Sequence, residues 1–265
     1  MSVAVEIAVE DLAGLEVAAQ AGADRVELCV DLARGGLTPP ATLVQECTAR
    51  AAALAGARDA KPHFDVHVLI RCRAEHGDFL DRPEEFAYSA DEISLMARQA
   101  EESVAAGAAG VVIGALTEDG ELDLPAIEAI RDGALSAGSS AMRGVTLTVH
   151  RAVDALADRS RREDAARTLL GLGIHRMLTS GGASRALDGA EDLGAMVDAA
   201  QGLLDICAGG GVRPADIGDL VRRTGVADVH LSARRRPGAP VEDGAPKTCT
   251  DPAIVAAAVD AAEGL

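Results

Sequence analysis

Gly22-Ala23-Asp24-Arg25-Val26-Glu27-Leu28 is a glycine, a polar step and a short apolar run, directly behind an Ala/Leu-rich stretch with helical spacing. The pattern recurs at Gly107-Ala108-Ala109-Gly110-Val111-Val112-Ile113, at Gly173-Ile174-His175-Arg176-Met177-Leu178 and at Gly225-Val226-Ala227-Asp228-Val229-His230-Leu231. A glycine just past a helix sits where the chain needs a left-handed residue. Repeated helix–glycine–strand units imply βα repeats and a mostly parallel sheet.

Working outward, eight stretches read as strands: Val3–Ala8, Arg25–Cys29, Asp65–Arg71, Gly110–Leu116, Val145–His150, Arg176–Ser180, Leu204–Ala208 and Asp228–Ser232. Helical patterns cover Asp11–Ala21, Ala41–Ala55, Ser89–Ala106, Leu124–Ala137, Arg161–Leu170, Gly189–Ala200 and Pro214–Thr224. A last helix runs from Asp251-Pro252, an N-cap followed by proline at the first helical position, to about Glu263. Eight strands, each followed by a helix, in 265 residues predict one α/β domain, a TIM (β/α)8 barrel over 1–265. The alternative, an open doubly wound sheet, lacks a Gly-x-Gly-x-x-Gly opening a helix after the first strand. Cys72–Tyr88 reads as a long polar loop after the third strand, and 234–250 as irregular.

Composition narrows the function. Hydrophobic residues make up 48% and aromatics only 2%, so the core is aliphatic and stacking platforms for bases are missing. With 42 acidic and 25 basic residues the net charge is −17, which repels nucleic acid and anionic membranes. Five widely spaced cysteines without a CxxC fit a reducing cytoplasm. The N-terminus reads as carrying no signal peptide, and no apolar run reaches membrane-spanning length. The Ala-rich helical shell suits a homodimer or higher homo-oligomer.

In a TIM barrel all C-terminal strand ends share one mouth. Val145–Asp154, V-T-L-T-V-H-R-A-V-D, is a β-branched strand that ends in His150 and Arg151, with Asp154 three residues later. Taken singly, these read equally well as a satisfied histidine and a surface ion pair. The other strands end in the same way. They deliver Glu6; Glu27 and Cys29; His67, Arg71, Cys72 and Arg73; Thr117 after Gly114; Thr179 and Ser180; and His230 with Ser232 and Arg234. So many ionisable groups around one axis point to a functional cleft, with Glu6, Glu27, Arg71, His150, Arg151, Asp154 and His230 as candidate catalytic residues. Glu6 and Glu27 repel unless one is protonated or a cation, Arg71 or a metal, lies between them. His150 is a candidate general acid or base near neutral pH. Gly209-Gly210-Gly211, ahead of the Pro214 helix, together with Ser232 forms a candidate grip for a small anionic ligand, phosphorylated or sugar-like. No HExxH or paired CxxC marks a zinc site.

Several motifs, in order, carry a resemblance: G-A-D-R-V-E-L-C at Gly22–Cys29, G-G-L-T-P at Gly35–Pro39, I-R-C-R at Ile70–Arg73, G-D-F at Gly77–Phe79, T-E-D-G at Thr117–Gly120, T-V-H-R-A-V-D at Thr148–Asp154, L-T-S-G at Leu178–Gly181 and G-G-G-V at Gly209–Val212. The chain resembles the CutC family from about Val3 to Arg234. The resemblance implies a cytoplasmic TIM barrel associated with copper homeostasis, with Cu(I) as the implied ligand. It also implies a cysteine two residues after the first-strand glutamate, and this chain has Ala8 there. Cys29 is kept, and the family's I-R-P-R reads I-R-C-R, which adds Cys72 as a candidate second thiolate for Cu(I).

Overall fold

Side-chain alternation turns the eight apolar runs into a closed barrel. The computed structural model describes residues 3–55, 63–74, 79–235 and 249–265. Strands β1 (Ala4–Val9), β2 (Arg25–Leu28), β3 (Asp65–Leu69), β4 (Gly110–Ile113), β5 (Thr146–Val149), β6 (Arg176–Thr179), β7 (Asp205–Ala208) and β8 (Asp228–Leu231) pair in sequence order, all in parallel. β8 closes onto β1, with Glu6 level with His230. The expected TIM barrel is the fold.

Val5, Ile7 and Val9 of β1 point outward into the main apolar core, whereas Glu6 and Ala8 between them point into the barrel. The outer core is completed by α1 (Leu12–Gln20), α2 (Ala41–Ala55), α3 (Ala90–Ala105), α4 (Leu124–Ser140), α5 (Arg159–Gly171), α6 (Ala190–Ala200), α7 (Pro214–Thr224) and α8 (Pro252–Glu263). Fully buried alanines such as Ala18, Ala100, Ala134 and Ala258 let these helices lie close to the sheet. α3 starts with a capping box between Ser89 and Glu92, and α8 starts with Asp251 accepting from the Ala253 N–H ahead of Pro252, as the sequence predicts.

Six of the eight strands stop short of their expected ends at the mouth, whereas β7 ends at Ala208 as expected and β1 runs one residue further, to Val9. β4 ends at Ile113 rather than Leu116, because the Leu116 N–H bonds the Phe86 carbonyl at 2.9 Å and Leu116 bridges Leu122. β3 ends at Leu69 rather than Arg71, because the Arg71 N–H turns to Thr38 Oγ1 at 2.8 Å. α5 begins two residues earlier than expected, where the Asp158 carboxylate caps the Arg161 N–H, and α4 runs on to Ser140. Within the long loop after β3, residues 75–78, including Gly77 and Asp78, lie outside the described residues. The rest of that loop buries Phe79 and forms a short 3₁₀ turn at Pro83–Phe86. Of the irregular 234–250 stretch, 236–248 lie outside the described residues, and Arg234 bridges Thr250. Among the described residues no helix is long and apolar enough to cross a membrane.

Gly110 opens β4 where a Cβ would meet the Thr146 carbonyl oxygen at 2.7 Å and the His67 ring at 2.8 Å. Gly110→Ala is expected to destabilise the protein by roughly 1–3 kcal/mol through overpacking. Gly171→Ala, at a helical position with nothing within 4 Å, is expected to stabilise it by about 0.4–1 kcal/mol. Urea unfolding of the two variants against wild type checks both signs.

Candidate functional site

The interior of the barrel is layered. At the start of the strands Arg25 of β2, Arg176 of β6 and Asp228 of β8 surround Glu6 of β1. Arg176 Nη1 donates to Glu6 Oε2 at 2.9 Å and Arg176 Nε to Asp228 Oδ2 at 2.9 Å. Arg25 Nε lies 3.1 Å from Glu6 Oε2, and Arg25 also pairs with Asp228. Two cations and two carboxylates thus cancel inside the barrel. Burial alone would raise the pKa of Glu6, but Arg176, His230 and Arg25 outweigh it and hold Glu6 well below the usual carboxylate range. His67, buried beside this network, is pushed down to about 3 by burial and stays neutral.

Above this layer, at the C-terminal ends of the strands, lies a cavity of about 250 Å3. Glu27, Arg71, His150, Arg151 and His230 all border it, together with Ser232, Gly210 and Gly211. Five of the seven expected catalytic residues therefore converge there. Glu6 does not border it and sits one inward position below Glu27, since Glu6 is level with Arg25 in the β1–β2 register and Ala8 is level with Glu27. Its role is to hold His230, whose Nδ1 lies 2.8 Å from Glu6 Oε1. Asp154 also stays outside. It accepts from Arg151 Nε at 2.8 Å, from the Ser180 and Gly182 N–H groups at 3.0 and 3.1 Å, and from Thr179 Oγ1 at 2.5 Å. A carboxylate so fully used anchors the β6 loop and Arg151.

The charge states follow from these positions. Burial raises Glu27 to about 7; Glu6 adds to this, while His230 and Arg176 oppose it. Glu27 Oε2 is buried without a hydrogen-bond partner, and His230 Nδ1 is 4.0 Å from it. For His230, burial opposes protonation, but Glu27 and Glu6 outweigh it and its pKa is raised. The repulsion expected between Glu6 and Glu27 is thus resolved by Arg176 and Arg25 from below rather than by Arg71, with Glu27 as the carboxylate that keeps its proton more readily. His150 departs from the expectation of near-neutral titration: burial, then Arg71, lowers it to about 3. Its Nδ1 accepts the Ala152 N–H at 3.2 Å, so the neutral ring carries its proton on Nε2. Gly114 makes room for that ring, since a Cβ there would lie 2.5 Å from His150 Cε1.

The expected anion grip is rearranged. The Gly209 N–H is bonded to Thr179 O at 2.9 Å, so Gly209 belongs to the sheet. Gly210 and Gly211, with φ of 99° and 59°, make the turn that borders the cavity. A Cβ at Gly210 would touch Arg151 at 2.8 Å. Arg234, a cation of the loop after β8, is paired with Glu10. Arg151 takes its place: Asp154 holds Nε and Ser180 Oγ holds Nη2 at 3.0 Å, leaving Nη1 for a ligand. Thr117 turns away from the mouth, accepting the Glu121 N–H.

The two thiols do not suit Cu(I). Cys29 Sγ lies 3.8 Å from the Val9 carbonyl oxygen, in a small inner cluster with Leu69 and Val112. Burial, then Glu27 and Glu10, push its pKa far up, so it stays a thiol. Cys72 packs instead on the outer core, and burial and Glu92 push it up as well. A two-thiolate Cu(I) site needs converging sulfurs, and these two thiols pack in separate clusters. Glu6, Glu27 and His230 bring donor atoms within 4.8 Å of one another. That set is hard rather than soft, and the charge of Glu6 is already matched by two guanidinium groups.

Breaking the lower network should leave buried charge unmatched, so Arg176→Met is expected to cost roughly 3–5 kcal/mol in urea unfolding. His67 and His150 bind protons near 6.5 when unfolded and near 3 when folded. Their stabilising effect is complete above 6.5 and is lost as pH falls toward 3. Removing one of them by His67→Asn should flatten the stability–pH slope between pH 6 and 4 by about 1.4 kcal/mol per pH unit.

Comparison with known proteins places this architecture. The model of the CutC family matches residues 3–235. The family protein CutC of Agrobacterium fabrum is 37% identical over 233 residues, 88% of this chain and 80% of that protein. The family protein CutC of Caulobacter vibrioides strain NA1000 is 38% identical over 246 residues, 93% of this chain and 86% of that protein. Among solved structures, the Putative Copper Homeostasis Protein CutC from Streptococcus agalactiae superposes with a TM-score of 0.72 at 26% identity, over 87% of this chain and 98% of that one. With the motifs that ring the mouth inside the matched region, the chain belongs to the CutC family.

Proposed function

We propose that this chain is a cytoplasmic barrel enzyme that binds a small anionic, phosphorylated or sugar-like molecule at its mouth and moves a proton on it. The observation that carries the reading is Glu27: a buried carboxylate raised to about 7, with a free Oε2, bordering the cavity beside His230, whose pKa is also raised. Arg151 and Arg71 border the same space and supply positive charge, and the Gly210–Gly211 turn with Ser232 supplies close backbone and a hydroxyl. Glu27 takes a proton when ionised, and His230, oriented by Glu6, returns one.

A second reading, a role in copper homeostasis, is supported by family membership and by the name of the Streptococcus agalactiae relative. If copper were held here, Cys29 and Cys72 are the soft candidates, and their burial and separate packing argue against them.

Calorimetric titration with inorganic phosphate and a panel of sugar phosphates tests the first reading. A sugar phosphate is expected to bind, and Arg151→Met to weaken it at least about tenfold by removing a charge-assisted bond. Turnover of a substrate found this way should rise through pH about 7 as Glu27 ionises. No binding by any member of the panel sinks the reading. Reduced protein titrated with Cu(I) against a competing chelator is expected to show the same affinity in wild type and in the Cys29→Ala, Cys72→Ala double variant.

A further inference from the structure

Two buried polar atoms at the mouth have no partner, and they are of opposite kind. His150 Nε2 is a donor, because Nδ1 already accepts the Ala152 N–H. Glu27 Oε2 is an acceptor whenever the carboxylate is ionised. Both residues border the one cavity, with Arg71 also on its wall. A simple anion would satisfy the donor and repel the carboxylate. A ligand rich in hydroxyls would satisfy the carboxylate but make no particular use of a fixed neutral imidazole. Among the described residues that border the cavity Glu27 has no second carboxylate of the kind glycoside hydrolysis uses, since Glu6 is held by Arg176 and Arg25 below it.

From this pairing we infer that the ligand is a small anionic carbonyl compound and that Glu27 removes the proton from the carbon next to the carbonyl while His150 Nε2–H stabilises the oxygen. The inference rests on the anion-binding acid–base reading above and names its chemistry. In the step, the C–H bond breaks and its proton passes to Glu27 Oε2. The electron pair forms a C=C bond, and the carbonyl π electrons move onto oxygen, which becomes an enolate oxygen hydrogen-bonded by His150. Where that carbon also bears a hydroxyl, its hydroxyl proton moves to the enolate oxygen and Glu27 returns its proton to the former carbonyl carbon, which isomerises the α-hydroxy carbonyl compound without any other reactant.

The surroundings suit that task. A neutral imidazole, rather than an imidazolium, is a donor that an enolate does not deprotonate to no purpose, and a preset donor needs no reorganisation when charge develops. The ring is fixed on one side by the space that Gly114 leaves and on another by Phe86, whose centroid is 5.4 Å away. Burial, then Arg71, keeps His150 neutral, and Arg71, 5.1 Å above the Phe86 ring, adds positive charge beside the developing oxygen charge. Glu27 has the near-neutral pKa that a carbon-acid base needs.

The test uses phosphoglycolohydroxamate, a planar anionic mimic of an enediolate, against glycerol 3-phosphate, which carries the same phosphate on a saturated chain. Calorimetry on the full chain should show the hydroxamate binding at least about 100-fold tighter. His150→Phe keeps the ring and removes the donor, and should abolish that preference. His150→Gln keeps a donor and should retain part of it. Equal affinity of the two probes in wild type overturns the inference with no variant needed, as does a preference that survives His150→Phe in a folded variant. If inorganic phosphate and glycerol 3-phosphate bind without any hydroxamate preference, only the enolate chemistry fails. If no phosphate probe binds, the anion reading fails and takes this inference with it.

Discussion

The contact between Arg176 and Glu6 is the constraint from which the site follows. A carboxylate 1% exposed inside a barrel is costly unless cations meet it, and Arg176 does so at 2.9 Å with Arg25 beside it. That pairing keeps Glu6 ionised. An ionised Glu6 then holds His230 through Nδ1 and favours its protonated form. The same negative charge adds to burial in raising Glu27. One ion pair at the start of the strands thus contributes, after burial, to the proton affinity of two groups at their ends.

The upper rim is built by the same division between groups that are satisfied and groups that are not. Asp154 uses its carboxylate to tie the 3₁₀ turn after β5 to the loop after β6, and in doing so aims Arg151. Arg234 is tied to Glu10, and Gly209 is tied into the β6–β7 ladder. Glu27 Oε2 and His150 Nε2, by contrast, are buried without a partner. A buried atom left without a partner lowers stability. Its presence at the cavity wall, amid a structure that satisfies most of its other polar groups, is what separates this mouth from a packed barrel end.

Much of this was legible in the chain. The βα repeats, the barrel and the convergence of Glu27, Arg71, His150, Arg151 and His230 all follow from strand periodicity and from the rule that strand ends share a mouth. The lower network was legible in part. Arg25, Glu27 and Cys29 share one face of β2, and Asp228 and His230 share one face of β8, so the inward direction of Arg25 and Asp228 was implied by parity. The rule that strand ends share a mouth does not reach these strand starts. That Glu6 belongs with them rather than with the mouth depends on barrel stagger, which no single strand reveals.

The sequence by itself determined the architecture, because helix and strand periodicities, caps and glycine turns are local and repeat along the chain. It also determined which residues point inward. Only the tertiary structure decided which of those residues are uncommitted and what charge they carry. Glu6 meets Arg176 across 170 positions of sequence and His230 across 224. A pKa responds to the distance between such partners and to their shared burial, and neither quantity exists until the barrel closes.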